Sequence, residues 1–357
     1  MPKSKKLYRN LIPLVAGALL LSGCSSVSFP LQAAAAVTQE DVDAALPGIV
    51  CWGDSLTYGD MGDGVNYPEV LEALIDERLI EPIREATGNE ELTAPEVVNL
   101  GVNKESSLEI AGRQGGVPLI VQEDFTIPAD CTEVSFTYCS SIRESTTKLI
   151  RESDGGVQTV TICGIEGELV RWYDTEADFS RYNFLRLEEG ESVSVSAGEL
   201  VLTNLYDEYL DYIPIIMMGN NGDWTDNADL ASQFQAMLDH SESDAYIVVP
   251  NPVNNETDVE RMQTMDDYMS ACFGDNAISL RQWMIENGLQ TAADSAGEEV
   301  SISGEDAARI EAGLIPLSLM NEDEIHFNST GYAVMAEMFY EKLDELGYFD
   351  ALKALAQ

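Results

Sequence analysis

Five short, continuous apolar runs most constrain the fold of this chain. They are "GIVCWG" and "PEVVNLGV" in the first hundred residues, then "YIPIIMMG" (212–219), "AYIVVP" (245–250) and "AISL" (277–280). Runs of this kind are typical of strands that helices cover on both faces. Helical patterns lie between them, so the alternation predicts a parallel, three-layer α/β domain.

Amphipathic segments between these runs predict the helices. They are "YPEVLEALIDERL", with Pro68 in its first turn, then roughly 227–241, 257–272, 280–288 and 330–346. In the last of them, apolar residues recur at spacings of three and four, which indicates one buried helix face.

The region between about 109 and 208 has a different period. In "TEVSFTY", "GVQTVTI" and "ESVSVSAGELVL", apolar and polar residues alternate between turns rich in glycine and acid. A period of two predicts strands of an antiparallel sheet. We therefore expect a discontinuous α/β domain over residues 45–108 and 209–357, interrupted by a β-rich insertion at 109–208.

The first 24 residues have the pattern of a targeting segment. Lys3, Lys5, Lys6 and Arg9 precede an apolar stretch that ends in "LSGC" at Cys24. This tetrapeptide resembles the bacterial lipobox, in which the cysteine is lipidated and becomes the new N-terminus. The alternatives are a signal cleaved later, near "LQAAAAV", or an uncleaved anchor, for which the stretch is short.

A lipidated Cys24 implies an extracytoplasmic lipoprotein exposed at the bacterial cell surface and bound to the membrane by its lipid alone. Residues 25–44 are rich in serine and alanine and are interpreted as a flexible tether.

Charge excludes one class of partner. The chain has 19 lysines and arginines against 63 aspartates and glutamates, a net charge of −44. Such a surface repels phosphate backbones, so nucleic acid is not expected as a partner.

The cysteines do not indicate a metal or a disulfide framework. Five remain besides Cys24, an odd number at irregular spacing and without a CxxC pair, and we expect all five to be buried. A Cys131–Cys139 pairing stays open. The five are Cys51, Cys131, Cys139, Cys163 and Cys272.

Ser55 follows the first apolar run in "GIVCWGDSLT". The carboxyl end of a buried strand is where open α/β sheets place their ligands, so Ser55 is a candidate nucleophile. An ordinary helix cap is the alternative interpretation, and the GxSxG motif of a nucleophile elbow is absent. A serine nucleophile requires a base that accepts its proton.

Only two histidines are available as that base. His240 ends an acidic helical segment, where a solvated position is expected, whereas His326 lies in "NEDEIHFNSTGY" before the last helix. Asp323 precedes His326 by three residues, close enough to orient an imidazole as the acid of a Ser-His-Asp triad does.

An acyl-transfer site also needs donors for the developing oxyanion. Gly101 ends the second predicted strand, and "MMGNNGDW" ends the third with Asn220 and Asn221. Taken singly, the second of these segments is better explained by a tight turn.

Together these segments resemble the GDSL/SGNH hydrolase family. The matching residues are Ser55 in "GDSLT", Gly101 in "NLG", Asn221 in "GNN", and Asp323 with His326 in "DEIH", in the order of the family's motifs. The resemblance covers the α/β segments and not the insertion, and Gly222 departs from it where the family often has aspartate.

The resemblance implies a flavodoxin-like α/β/α fold and ester hydrolysis through an acyl-serine, with no cofactor and no metal. It implies catalysis by Ser55, His326 and Asp323, with an oxyanion hole formed by the N–H groups of Ser55 and Gly101 and the Asn221 side chain.

The substrate expected for such an enzyme is a small-molecule or glycan ester, and we favour a carbohydrate O-acetyl group. Asp54, Asn220 and Arg113 are candidate substrate contacts. Trp172, Tyr173, Tyr182 and Phe184 of the insertion are candidates for stacking on sugar rings, although a place in the β core explains most of them better. A lipid esterase or thioesterase, and a catalytically silent glycan-binding lipoprotein, are the alternatives.

Overall fold

A computed structural model describes residues 37–143, 149, 157–174, 179–250 and 259–357. The predicted signal segment, Cys24 and most of the predicted tether lie outside these residues. Among the described residues, none of the helices combines the length and apolarity needed to cross a membrane.

Four parallel strands form the central sheet. In chain order they are β1 (Ile49–Gly53), β2 (Val97–Gly101), β12 (Ile213–Met218) and β13 (Ile247–Pro250). Their order across the sheet is β13-β12-β1-β2, and Ile49 of β1 lies opposite both Ile213 and Val97. The parallel sheet predicted from the apolar runs is thus confirmed.

The fifth predicted strand, "AISL", is reduced to a single parallel bridge between Ala277 and Val248 of β13. A 3₁₀ turn at Gly274–Asn276 precedes it, and Ser279 already caps the next helix, so too few residues are left for a strand.

Strands β1, β12 and β13 are buried on both faces, which explains their continuous apolar runs, whereas β2 at the edge is half-buried beyond Val97. Ile49 and Cys51 of β1 point into one hydrophobic core, and Val50 and Trp52 point into the other. Helices cover each face. They are α1 (Gln39–Ala45), α2 (Ser55–Tyr58), α3 (Tyr67–Ile75), α4 (Glu81–Thr87), α5 (Ser107–Gln114), α6 (Asn227–His240), α7 (Val259–Phe273), α8 (Leu280–Glu286), α9 (Gly288–Ala296), α10 (Gly304–Glu311), α11 (Ser329–Glu345) and α12 (Asp350–Leu355).

Helix α1 corrects the predicted extent of the tether. The side chain of Thr38 accepts from the N–H of Asp41, and the Asp41 carboxylate accepts from the N–H of Thr38, so this capping box starts a helix. Val42 of that helix is fully buried. The chain is therefore part of the folded domain from Val37 onward, so the last residues of the predicted tether, 37–44, belong to this domain.

The antiparallel strands form a separate structure with its own core. Seven of them pair in the order β5-β9-β8-β7-β11-β3-β6, and β4 pairs with β10. Their bounds are β3 (Leu119–Val121), β4 (Phe125–Ile127), β5 (Val134–Phe136), β6 (Tyr138–Ser140), β7 (Val157–Ile162), β8 (Ile165–Asp174), β9 (Phe179–Arg186), β10 (Val193–Val195) and β11 (Leu200–Thr203).

The β-rich insertion starts later than residue 109, because helix α5 continues to Gln114. A capping box between Ser106 and Glu109 begins this helix. Tyr182 and Phe184 are fully buried in the β core, so neither is available to stack on a sugar. The side chains of Trp172 and Tyr173 lie outside the described ones.

The expectation that all five cysteines are buried is wrong for three of them. Cys51 and Cys139 are buried, whereas Cys131, Cys163 and Cys272 are exposed, and none of the described cysteines forms a disulfide. The exposed cysteines lie at turns or on a solvent-facing helix surface, where an apolar-run pattern gives no information about burial.

Candidate active site

Ser55 lies where strand β1 turns into helix α2, at the carboxyl edge of the sheet. The cap of this helix is Asp54, whose carboxylate accepts from the N–H of Leu56 at 3.0 Å. The residue that caps this helix is therefore Asp54 and not Ser55. The Ser55 hydroxyl instead lies 2.9 Å from Nε2 of His326, and only 6% of the residue is exposed.

Asp323 holds His326 in place with both oxygens of its carboxylate. Oδ2 lies 2.6 Å from Nδ1 of His326, and Oδ1 accepts from the backbone N–H groups of Ile325 and His326 at 3.0 Å each. Partial burial raises the pKa of Asp323, but these hydrogen bonds from His326 and Ile325 outweigh it, and the pKa is lowered overall.

These contacts fix the roles of the two imidazole nitrogens. The Asp323 carboxylate can only accept, so Nδ1 carries the hydrogen and donates to it. Nε2 is then the acceptor for the Ser55 hydroxyl. The arrangement joins a serine hydroxyl, an imidazole and a carboxylate, which together can remove the serine proton.

Gly101 lies beside the turn that carries Ser55, and a side chain there would collide with it. A Cβ atom on Gly101 would lie 2.1 Å from the backbone nitrogen of Tyr58. The N–H of Gly101 donates to Oδ1 of Asn99 at 3.0 Å, within its own strand. Its clearest role in the described structure is therefore to let β2 approach α2 closely.

The side-chain amide of Asn221 is also held by protein acceptors. Its Nδ2 lies 3.1 Å from Oδ2 of Asp54 and 3.0 Å from the carbonyl oxygen of Glu105. The amide is thus fixed at the carboxyl edge of the sheet, and its two hydrogens are directed to Asp54 and Glu105.

Asp54, a candidate substrate contact from the sequence, is instead an internal support. Only 1% of the residue is exposed, and its two oxygens contact Leu56 and Asn221. Burial raises the pKa of Asp54 to about 6, although the N–H of Leu56 and the nearby His326 act in the opposite direction.

Arg113, the second candidate substrate contact, lies in a buried ion pair. Its guanidinium donates to the carboxylate of Glu105 at 2.7 Å and to the carbonyl oxygen of Leu100 at 2.8 Å, and it lies over the ring of Trp52. The side chain supports the loop after β2 and does not face a cleft.

Asn220, the third candidate, follows Gly219 directly and is half-buried. Its Oδ1 is a buried acceptor for which the described residues provide no hydrogen-bond donor.

His240, the other histidine, takes no part in this site. Its Nε2 bonds to the carbonyl oxygen of Tyr206 at 2.7 Å, and its ring packs on the ring of Tyr206. The expected solvated position is thus wrong, because Tyr206 half-buries the imidazole. Within the described ranges, no group of three or more histidine, cysteine or acidic side chains is arranged to hold a metal ion.

Asp60 lies close to His326, and sequence reasoning did not find it. Its Oδ2 is 3.9 Å from Nε2 of His326, the same nitrogen that contacts Ser55. Its N–H donates to the carbonyl oxygen of Ser55 at 2.9 Å. Only the acid- and glycine-rich turn "YGDMGDG" hints at this residue, and no spacing rule connects it to His326.

The loop after α2 borders a cleft of about 520 Å³. Residues of this loop, together with Asn66, Glu69, Asn99 and Gly101, line it. Tyr58 and Met61, two of the lining residues, are large apolar side chains that are half exposed. The cleft thus combines a polar, acidic wall with two accessible apolar surfaces.

Comparisons of the chain with protein-family models, with curated proteins and with solved structures each find no match. The chemistry of the site therefore rests on its own geometry.

Proposed function

We propose that this protein is a serine esterase that hydrolyses carboxylic esters through an acyl-serine intermediate. The observation that carries the proposal is the hydrogen-bonded series from Ser55 through His326 to Asp323, with distances of 2.9 and 2.6 Å. A nucleophile, its base and the orienting acid are the combination that acyl transfer by serine requires.

In the first half of the reaction, Oγ of Ser55 attacks the ester carbonyl carbon while Nε2 of His326 takes the hydroxyl proton. The imidazolium formed is stabilised by Asp323. It then donates this proton to the alcohol oxygen, the carbon–oxygen bond breaks, and the alcohol leaves. In the second half, a water molecule attacks the acyl-serine by the same route, which releases the acid and restores Ser55.

Stabilisation of the oxyanion is assigned to the N–H of Ser55 and to Asn221, with Gly101 as the third candidate. A full negative charge is a stronger acceptor than a peptide carbonyl. We therefore expect the planar Asn221 amide to rotate as a whole, so that the hydrogen that now meets the carbonyl oxygen of Glu105 meets the oxyanion.

Two observations favour a flavodoxin-like fold of the SGNH hydrolase type. Taken in chain order, the four parallel strands lie across the sheet in the sequence 2-1-3-4, and Ala277 bridges the far edge as a fifth segment would. The residues that resemble the family's motifs lie at the carboxyl ends of β1, β2 and β12 and before α11.

The size and polarity of the cleft favour a short acyl group on a polar alcohol. A volume of about 520 Å³ bordered largely by polar residues and glycines suits a sugar acetate better than a long hydrocarbon chain. Carbohydrate O-acetylesterase is therefore the activity that we propose for this site.

A location at the bacterial cell surface is part of the proposal, and it rests on "LSGC" at Cys24. Metabolic labelling with an alkyne fatty acid tests it. The full chain should incorporate the label, and Cys24→Ser should not. Labelling of both proteins, or of neither, would contradict lipidation at Cys24.

Hydrolysis of p-nitrophenyl acetate by residues 37–357 tests the enzymatic activity. We expect kcat/KM to fall at least about 1,000-fold in Ser55→Ala, because Ser55 provides the hydroxyl that contacts His326 among the residues that the structure describes. Ser232→Ala, an exposed serine on α6, is the matched control and should retain full activity. Equal rates for wild type and Ser55→Ala would exclude the mechanism.

Two further assays separate the substrate classes. A series of p-nitrophenyl esters from acetate to decanoate should show the highest kcat/KM at acetate, whereas a lipid esterase would prefer the longer chains. Release of acetate from acetylated polysaccharides then tests the carbohydrate substrate directly.

A further inference from the structure

Asp60 is held rigidly beside the catalytic base by contacts that do not involve its carboxylate Oδ2. Its N–H donates to the carbonyl oxygen of Ser55, and its own carbonyl oxygen accepts from the hydroxyl of Tyr332 at 2.8 Å. Asn321 donates to the carbonyl oxygen of the next residue, Met61, at 2.7 Å. Asp60 is thus tied to the nucleophile and also to the segment that carries His326.

The carboxylate of Asp60 faces the reacting atoms from the solvent side. Oδ2 lies 3.9 Å from Nε2 of His326, which is too far for a hydrogen bond, and 41% of the side chain is exposed. Asp323 already occupies the other ring nitrogen. Asp60 is therefore not needed to orient the imidazole, and its charge is directed toward the space in which a substrate reacts.

The proposed reaction places the alcohol portion of the ester in that space. His326 must donate its proton from Nε2 to the alcohol oxygen, which requires a distance of about 3 Å between these atoms. Since Nε2 is 3.9 Å from Oδ2 of Asp60, the alcohol oxygen can lie no farther than about 7 Å from this carboxylate. A charge on the alcohol portion will therefore interact with it.

The surrounding cleft adds charge of the same sign. Asp63 and Glu69 line it together with Asp60, and within the described chain its lining includes no lysine or arginine. Tyr58, half exposed in the same lining, offers a ring face that suits a sugar or an alkylammonium group.

We propose that Asp60 is a specificity-determining residue that selects esters with a neutral or cationic alcohol portion and rejects those with an anionic one. The proposal rests on the ester hydrolysis proposed above. Among acetylated glycans it favours neutral and amino sugars over sugars that carry a carboxylate or a phosphate near the acetyl group.

Three acetate esters of similar size test this selection: 3-acetoxy-N,N,N-trimethylanilinium, 3-nitrophenyl acetate and 3-acetoxybenzoate. Their kcat/KM values are measured at pH 7.5 and 20 mM salt, and each is compared between wild type and Asp60→Asn so that intrinsic reactivity cancels. We expect the ratio of cationic to anionic kcat/KM to fall roughly tenfold or more in Asp60→Asn, since unit charges at this distance interact by about that factor.

Two matched variants distinguish the position of the charge from its mere presence. Asp60→Glu keeps the charge and should retain most of the wild-type ratio. Asp63→Asn removes the same charge from another part of the cleft and should change the ratio less. An equal change in Asp63→Asn and Asp60→Asn would assign the selection to the general field of the cleft and overturn the role of Asp60.

A salt titration of the wild type tests whether the selection is electrostatic, and the comparison of Asp60→Asn with Asp63→Asn then assigns it to Asp60. Raising NaCl from 20 to 500 mM should lower the cationic-to-anionic ratio, because exposed charges are screened at high salt. An enzyme that hydrolyses the neutral ester but has a ratio independent of salt and of Asp60 would refute the selection and leave the esterase intact. Failure to hydrolyse the neutral ester would refute the proposed function itself.

Discussion

At the scale of single residues, Asp323 shows how one carboxylate can both build a turn and prepare a base. One oxygen accepts two backbone N–H groups and the other accepts from the imidazole of His326. The first pair of contacts holds the turn in shape, and the last fixes the tautomer. The loss of the charge should therefore affect catalysis more than folding.

We expect Asp323→Asn to lower kcat for p-nitrophenyl acetate by roughly 100-fold or more, because an amide can donate to Nδ1 and stabilise the wrong tautomer. Thermal unfolding should change little, since the amide oxygen can still accept from the backbone. A decrease in activity of less than about threefold would show that Asp323 does not orient the base.

Asp54 makes stability depend on pH. Burial raises its pKa in the folded protein from 3.8 to about 6, so the folded state favours the protonated carboxyl. The contribution of this group to stability is therefore complete below pH 3.8 and is lost as the pH rises through about 6.

The variant Asp54→Asn isolates this effect because its amide cannot ionise. Relative to this variant, the wild type should lose about 2 kcal/mol of unfolding free energy between pH 4 and pH 7. Urea unfolding of both proteins across this range is the measurement, and all other titrating groups cancel in the difference. Parallel curves would mean that Asp54 is not buried as the structure has it.

At the scale of elements, the turn from β1 into α2 depends on a close approach by β2. Gly101 has no side chain where a Cβ atom would meet the backbone of Tyr58 at 2.1 Å. We expect Gly101→Ala to destabilise the protein by about 1–3 kcal/mol and to displace Ser55 from His326, which lowers kcat.

Gly304→Ala is the control for that substitution. A Cβ atom on Gly304, the first residue of α10, has open space around it. This variant should be neutral or slightly more stable. Equal effects of the two substitutions on denaturation and kcat would contradict the steric argument.

Asn321 connects the segment that carries His326 with the loop that carries Asp60. Its Nδ2 donates to the carbonyl oxygens of Met61 and Phe327, at 2.7 and 2.8 Å. We expect Asn321→Ala to cost about 2 kcal/mol of stability and to lower kcat by roughly tenfold, because both loops gain freedom.

Asn276 provides the comparison for Asn321. Its Nδ2 also makes two hydrogen bonds, to the carbonyl oxygen of Tyr246 and to the hydroxyl of Tyr348. These lie next to the amino end of β13 and not at the candidate site. Asn276→Ala should cost similar stability without lowering kcat. A similar loss of kcat in both variants would mean that general destabilisation, and not the link between the loops, explains the effect.

The strength of the local pattern decides which elements could be predicted from the sequence. Continuous apolar runs predicted β1, β2, β12 and β13, because short apolar runs that alternate with helical segments are typical of a parallel sheet. Helices α1 and α10 were missed because they are short and acidic, with few apolar positions. Their capping residues, Thr38 and Ser303, were the available signals.

The residues of the candidate site could also be predicted only where a local sequence pattern indicates them. Ser55, Asp323 and His326 could be proposed from residue type, spacing and the scarcity of histidine. The positions of Asp54, Arg113 and Asp60 relative to the base depend on contacts between segments far apart in the chain. A single sequence does not indicate which of many acidic residues will be buried and which will face the cleft.

At the scale of the whole molecule, the excess of acidic residues should make folding sensitive to salt. A net charge of −44 repels itself in the compact state, and added salt screens this repulsion. We expect Tm to rise by roughly 2–4 °C between 20 and 500 mM NaCl at pH 7.5. KCl should raise Tm by a similar amount. A Tm that does not change with salt, or that rises with only one of the two cations, would contradict simple screening.

The most direct test of Ser55 as an activated nucleophile is covalent trapping with a fluorophosphonate, followed by intact mass and peptide mapping. Wild-type protein should gain one phosphonyl group, on the peptide that contains Ser55, at a rate that His326→Ala lowers strongly, and Ser55→Ala should gain none. No modification of the wild type, or the same modification of Ser55→Ala, would contradict the proposal that Ser55, His326 and Asp323 form a catalytic triad.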